Sequence, residues 1–458
     1  MGVLKPSAPR PKALPVESTC STSSSCPVAD VICRTLDLGL SITGAEIGAG
    51  DVTIIEARPR QVLGFCPGCG AEGRLRDHVI RELTDIPVAG HPTRLQVRVP
   101  RFVCEGAECP RRIFQAQLEA AEPGAKTTRR CRKWILQRLA IDKMSVAAVA
   151  AALGLGWDLV NELAVSAARR LIYDDPTHLA GVRILGVDEH KWKHVRGGGE
   201  EDFATILVDL TPAIEGAGPS RLLDVRAGRS AKVLTEWLDE REQGFRDRIQ
   251  VVTMDGFAGY HSATRQSLPE ATPVMDPFHV VQLAGQKVTG CRQRLQQQIL
   301  GHRGRKDDLL YRGRRTLLTR RSLLNGRGRD RLERLFAERD EHAALEVSYL
   351  VYQDLITAYA HPDRRTGKRL MSALIDRLRR GLPDGLEEIA QLGRTLWRKR
   401  GQILAFFDHG GASNGPVEAI NGRLEHLRGI ALGFRNFTHY VLRSLLHSGQ
   451  LAARINAL

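Results

Sequence analysis

Between residues 182 and 275 the hydrophobic pattern turns from helical to short apolar runs. That change limits the fold of this chain more than any other feature. Residues 182–188, 203–210, 221–225, 249–254 and 272–275 read as five strands. The first three are separated by turn-length spacers, and the glycines 197–199 fall in the first spacer. Residues 230–242 then place Val233, Leu234, Trp237 and Leu238 on one face of a helix. A second helix, over 259–267, precedes the fifth strand.

Three strands joined by turns, followed by helix, strand, helix and strand, is the element order of an RNase H-like α/β fold. In such a sheet the first and fourth strands are neighbours. Asp188 lies on the first and Asp255 at the end of the fourth, so their carboxylates would share one patch. Each alone is compatible with a strand-end turn residue; together, in this order, they point to a site. Adjacent carboxylates repel and desolvate one another unless a cation intervenes. Hard oxygen ligands with open water positions suit Mg²⁺, or Mn²⁺ in its place. Two such ions can clamp the attacking and leaving oxygens of a phosphoryl displacement. A third carboxylate is expected on a later helix, and Ser413-Asn414-Gly415-Pro416-Val417-Glu418-Ala419-Ile420-Asn421 supplies it. Ser413 and Asn414 are N-cap types and Pro416 suits a first turn. Glu418 then falls in the first or second turn, with Asn421 one turn on. Glu425, seven residues later, is the rival. Asp276 and Glu189 are read as supporting acids around the site.

Nine cysteines include two close pairs, Cys66/Cys69 and Cys104/Cys109. The Cys66-Pro67-Gly68-Cys69-Gly70 turn, the alternating stretch 93–99 and the second pair are how a zinc ribbon is built, with four thiolates around one Zn²⁺. His78 and His91 lie between the pairs; they are alternative ligands, read first as surface residues. Cys20, Cys26, Cys33, Cys131 and Cys291 show no pairing logic and are read as free thiols.

Residues 145–160 read as two helices around a Gly154 turn, a helix-turn-helix whose second helix, 157–169, would enter a major groove. The alternative is an Ala-rich core hairpin. The chain carries 67 Lys+Arg against 52 Asp+Glu, and residues 277–410 alone hold 27 against 15. A basic excess gathered in one segment is the footprint of a polyanion partner. It is densest over 303–334, with 12 basic and 4 acidic residues, a composition that neutralises phosphates without reading bases. No apolar run is long enough to span a membrane, and no signal peptide is evident, so a cytoplasmic, nucleoid-associated protein is expected.

These motifs resemble the ISL3 family of DDE transposases from bacterial insertion sequences. The resemblance rests on the Cys66–Cys69 knuckle, Gly186-Val187-Asp188-Glu189, Thr253-Met254-Asp255-Gly256, Asp276-Pro277-Phe278-His279-Val280, the Glu418 segment and Gly433-Phe434-Arg435-Asn436-Phe437. It implies a multidomain α+β chain: zinc ribbon, helix-turn-helix, and an RNase H-like catalytic domain with an all-helical insertion. It implies Asp188, Asp255 and Glu418 as catalytic, metal-binding residues. Asp276 and His279 match an Asp-x-x-His element whose role the sequence does not give. The expected partition is a disordered tail at 1–33, zinc ribbon at 34–120, helix-turn-helix at 121–175, catalytic domain at 180–298, basic helical insertion at 299–405 and catalytic C-terminal helices at 406–458. The expected partners are double-stranded DNA, as terminal inverted repeats and target, and further copies of the chain in a dimer or larger oligomer. The competing readings are an RNase H-like nuclease without strand transfer and a silent DNA-binding regulator.

Overall fold

The computed structural model of the chain describes residues 26–194, 199–302 and 304–458. The chain divides into two compact units. One holds residues up to 138 with 146–163, the other residues 139–145 with 164–457.

The first unit is built on the strands β1 (Leu40–Gly48), β2 (Val52–Pro59), β3 (Gly73–Val88) and β4 (His91–Cys104), in the order β1-β2-β4-β3, with β5 (Ile113–Gln115) on β4. Strand β4 alternates as expected, with Thr93, Leu95, Val97 and Val99 buried. Each such aliphatic side chain taken out of water stabilises the sheet by about 1.5–3 kcal/mol. β3 and β4 form a long antiparallel hairpin that brings Gly73 opposite Cys104. Residues 26–33, expected in the tail, are corrected: Pro27–Ile32 is helical. Its buried Asp30 accepts the Thr35 hydroxyl and the Ile42 N–H, both at 2.7 Å, which pins the segment to β1. The rest of the expected tail, with Cys20, lies outside the described residues. Helices Val146–Leu153 and Trp157–Ile172 bend by 118° around Gly154, whose φ of +58° suits glycine. Ala150 and Val160 are buried, and Arg94 of β4 donates to the carbonyls of Leu153 and Gly154 at the end of the first of these helices. No single helix among the described residues is long and apolar enough to cross a membrane.

The second unit carries β6 (Ile184–Lys191), β7 (Phe203–Asp209), β8 (Arg221–Ala227), β9 (Val251–Met254) and β10 (Thr272–Met275), in the order β10-β9-β6-β7-β8. Short links make β6, β7 and β8 antiparallel; links through helices make β9 parallel to β6 and β10 parallel to β9. The strands of Asp188 and Asp255 are therefore neighbours. The glycines 197 and 198 of the expected turn lie outside the described residues. The helix expected over 230–242 ends at Asp239, and a second one, Gln243–Arg248, follows. The break lets Phe245 meet the buried Trp237 edge-on at 5.8 Å.

From Pro277 to Asp408 the secondary-structure elements of the described residues are all helices. One apolar core runs from Met275 through Val288, Leu295, Leu345, Leu355, Ile375 and Leu392 to Phe407. The boundary expected at 298/299 is not a packing boundary. Helix Pro277–Leu300 is continuous, and its Val288, Cys291 and Leu295 already belong to the helical core. Arg305, Arg312, Arg315, Arg320, Arg327 and Arg329 of the basic stretch are exposed.

Candidate functional site

The acids expected to meet are separated by up to 230 positions, and a glycine lets the helix of Glu418 sit on the strand of Asp188. At Gly186 of β6, an added Cβ would lie 2.5 Å from Val417 Cγ2. The bare backbone thus seats helix Gly415–Ile430 directly on the strand, two residues before Asp188. Asn414, fully buried at the helix start, fixes that seat. Its Nδ2 donates to Val187 O at 3.0 Å, its Oδ1 accepts the Thr253 hydroxyl at 2.5 Å, and its N–H donates to Asp276 Oδ1 at 2.8 Å. The expected side-chain cap is absent; Asn414 ties three elements together instead. Glu418 lies in the exposed first turn. One turn on, Asn421 Nδ2 donates to Asp188 Oδ2 at 3.0 Å.

Asp188 is buried, at 5% exposure. Burial drives its pKa up to about 7; the Glu189 N–H opposes the shift, and the charges of Glu418 and Asp255 add to it. Asp188 therefore feels the charges of Glu418, Asp255 and His279. Asp276 caps helix Pro277–Leu300 and holds His279 Nδ1 at 3.4 Å. That bond, helped by Asp255 and Asp188, raises the His279 pKa against burial. Lys399, at the break between helices Glu387–Arg398 and Arg400–Asp408, reaches the same loop: its Nζ donates to Gly256 O at 2.9 Å. Neither the Asn414 ties nor Lys399 was anticipated. The Gly186-x-Asp188 spacing and the Asn414-Gly-Pro start were the signals for the former; Lys399 had none.

Glu425 does not join this group. It pairs with Arg428 and lies 3.4 Å from His194 Nε2 and 3.8 Å from His190 Nε2. Glu189 alternates to the other face, where it meets Arg229 at 3.4 Å.

The surroundings of Asp188 fit a hard divalent cation. Asp188 is buried with only the Glu189 N–H and Asn421 as hydrogen-bond donors, and Asn421 Oδ1 is a buried oxygen with no partner among the described residues. Uncompensated negative charge and an orphaned oxygen acceptor suit Mg²⁺ or Mn²⁺ with its waters.

In the first unit, the sulfurs of Cys66, Cys69, Cys104 and Cys109 all lie within 4.8 Å of one another. Cys66 and Cys109 are 3.9 Å apart, Cys69 and Cys104 3.5 Å. Thiolates at bonds of about 2.3 Å around a tetrahedral zinc stand roughly 3.8 Å apart. Burial raises the Cys66 thiol, but the N–H groups of Gly68 and Cys69 win and hold it near 7. Cys104, despite the Gly106 N–H, is pushed up to about 12 by burial and by its neighbouring sulfurs. Only a cation lets all four ionise together, and the cluster is a zinc centre. Phe102 and Phe114 stack at 5.4 Å beside it. His78 and His91 are exposed, and His91 pairs with Asp51 instead.

The family model described as transposase, of ISL3 type, matches residues 185–444. A second model, the zinc-finger of transposase IS204/IS1001/IS1096/IS1165, matches residues 63–109. The transposase for insertion sequence element IS1001 of Bordetella parapertussis is 25% identical over 406 residues, covering 86% of this chain and 91% of that protein. A Lactococcus lactis subsp. lactis protein described as an ATP-dependent protease is 32% identical over 106 residues, 23% of this chain and 31% of its own.

Proposed function

We infer the activity from the fact that this chain belongs to the ISL3 family of DDE transposases. We propose that it binds the terminal inverted repeats of its element, cleaves DNA strands there and joins the freed 3′ ends to target DNA. The observation that carries this reading is the seating of the Glu418 helix on Gly186, two residues before Asp188 on the strand parallel to the one that leads into Asp255, which supports a shared site for Asp188, Asp255 and Glu418. The strand order and directions of the second unit support an RNase H-like catalytic domain.

Asp188, Asp255 and Glu418 would hold Mg²⁺ or Mn²⁺, which when bound supplies activation of the attacking hydroxyl and neutralises charge on the leaving oxygen. Asn421 fixes the Asp188 carboxylate so that one oxygen stays turned to the site. Asn414 and Asp276 hold the helix start against the sheet. His279 and Lys399 set positive charge beside the acids, where a phosphodiester would lie. The 118° helix pair supports a helix-turn-helix, with Trp157, Asp158, Glu162, Ser166 and Arg169 on the exposed face of its second helix. The exposed arginines of 304–334 would neutralise phosphates along the duplex. Joining two ends in one event calls for at least two copies of the chain on DNA.

The test is Mg²⁺-dependent cleavage of a labelled duplex carrying the element end, beside a gel shift on the same DNA. Asp188→Asn, Asp255→Asn and Glu418→Gln should each abolish cleavage and leave binding nearly intact. A pre-cut end with a free 3′-hydroxyl should be joined to target. Cleavage without joining would reduce the reading to a nuclease, and full activity in Asp188→Asn would remove it.

A further inference from the structure

Away from the carboxylates, the second unit gathers five basic side chains. Arg423 and His426 stand on helix Gly415–Ile430, Arg443 and His447 on helix Phe437–Ser448, and Lys143 on the 139–145 segment. Arg443 and His447 are one turn apart on one face and are buried, at 5% and 6% exposure. Lys143 donates its ammonium to the carbonyls of Ala140 and His447, and the rings of His426 and His447 lie 6.3 Å apart. Arg423 and His426 are exposed and form the mouth of the cluster.

Among the described residues, none of these five side chains is paired with a carboxylate. Among the described residues, Arg443 has no hydrogen-bond or ion-pair partner, and His447 Nε2 is buried and unpaired. Burial holds Lys143 down to about 8, with only Arg423 adding to it, and burial alone holds Arg443 down to about 10. The field at His447 comes from Lys143, His426, Arg443 and Arg423, every one a base. A buried cation is costly unless an anion compensates it, so a buried arginine facing only other bases is half of an ion pair. Lys143 is also kept at φ +61°, a backbone conformation that lysine rarely adopts.

We propose that Lys143, Arg423, His426, Arg443 and His447 form a phosphate-binding site that takes one phosphodiester of DNA bound by this chain. The guanidinium and ammonium would supply charge-assisted hydrogen bonds to its oxygens. DNA is the favoured source because Arg423 and His426 follow Glu418 on the same helix, about 8 and 12 Å further along its axis. A strand crossing the carboxylates reaches that far. The choice of DNA rests on the transposase reading; the phosphate site does not.

The full-length, zinc-loaded protein tests this with Arg443→Met and Lys143→Met. Methionine keeps bulk and removes the charge. The first measurement is the melting temperature in inorganic phosphate against chloride at equal ionic strength. The second is duplex affinity across a salt series. Phosphate should raise the melting temperature of the unaltered protein and have little effect on either variant. Each variant should flatten the slope of log K against log salt by about one. Arg443→Met should melt higher than the unaltered protein in phosphate-free buffer, since it removes an uncompensated charge. Phosphate protection with an unchanged duplex slope would overturn DNA as the source. Unchanged protection and slope in both variants would overturn the site. Should Arg443→Met fail to fold, Lys143→Met gives the same two readings. Neither measurement requires cleavage, so failure here is separate from failure of the catalytic reading.

Discussion

The cysteine centre and the proposed carboxylate site both call for a cation, yet they are built in opposite ways. The four cysteines lie within 44 positions of sequence, on a knuckle and at the end of one hairpin, and fill a tetrahedron with sulfur. The carboxylates come from β6, from the end of β9 and from a helix beyond the whole helical region, and they leave ligand positions free. A closed site trades access for stability; an open one gives up stability for chemistry. Charge shows the same contrast. At the cysteines the strain falls on protons shared among sulfurs. At Asp188 it falls on one buried group pushed to about 7.

The sharpest break between the two should come from zinc removal. Structural zinc contributes on the order of 10 kcal/mol to the fold it closes. Chelation, or Cys66→Ser, should leave β3, β4 and β5 unprotected in hydrogen exchange while β6, β7 and β9 stay protected. Elemental analysis should find one zinc per chain. Protection of β4 that survives chelation would show that the ribbon does not depend on its metal.

Asp188→Asn should act in the opposite sense, removing activity and adding stability. Its folded pKa of about 7 lies above the unfolded value of about 3.9. The proton it holds therefore contributes stability that is complete below pH 4 and lost as pH rises through 7. In magnesium-free buffer at pH 8, Asp188→Asn should resist urea better, by at most about 4 kcal/mol. The gain should vanish below pH 4 and shrink when Mg²⁺ is added. A variant less stable than the parent at pH 8 would mean that the carboxylate is already compensated in the protein.

Gly186→Ala tests the seating itself. The new methyl would meet Val417 Cγ2 at 2.5 Å, and overpacking of this kind costs about 1–3 kcal/mol. Cleavage should fall with every carboxylate intact, while gel-shift affinity holds. Normal cleavage would show that the helix can shift without dispersing the acids.

The same contrast decides how much could be read from sequence. A knuckle such as Cys66-Pro67-Gly68-Cys69 carries its geometry within four residues, and the hairpin that closes it shows as alternation in 93–99. The five strands were legible for the same reason, as local runs, though their ends moved by a few residues. The carboxylates could be paired only by assuming a sheet order. What was not legible depends on contacts between distant segments: Asn414 meeting Thr253 and Val187, Lys399 meeting Gly256, and Asp30 meeting Ile42. A polar residue with an available local role, such as Asn414 at a helix start, hides its long-range one. Helix Pro277–Leu300 misled in a related way. Its sequence continues out of the sheet, while its side chains already pack with the helices that follow.

The smallest effect should come from Glu425→Gln, and it separates two carboxylates on one helix. Glu425 is seven residues from Glu418, nearly two turns, so spacing alone would allow either to serve the sheet. Their surroundings differ. Burial would raise the Glu425 pKa, but the hydrogen bond and charge of Arg428, with His194 and His190 adding to them, bring it below its ordinary 4.5. A depressed carboxylate contributes stability that is present above pH 4.5 and lost as pH falls through the lower folded value. The pair is 41% exposed on the Glu425 side, so solvent screening keeps its worth to about 1 kcal/mol or less. Glu425→Gln should therefore lower the urea midpoint slightly at pH 7, with the difference closing toward pH 3, and change cleavage by no more than a few-fold. Glu425 already has cations of its own, which leaves it little charge to offer a metal at Asp188. Cleavage lost in Glu425→Gln and kept in Glu418→Gln would reverse that assignment and make the third turn of the helix, rather than its first, the part that completes the patch.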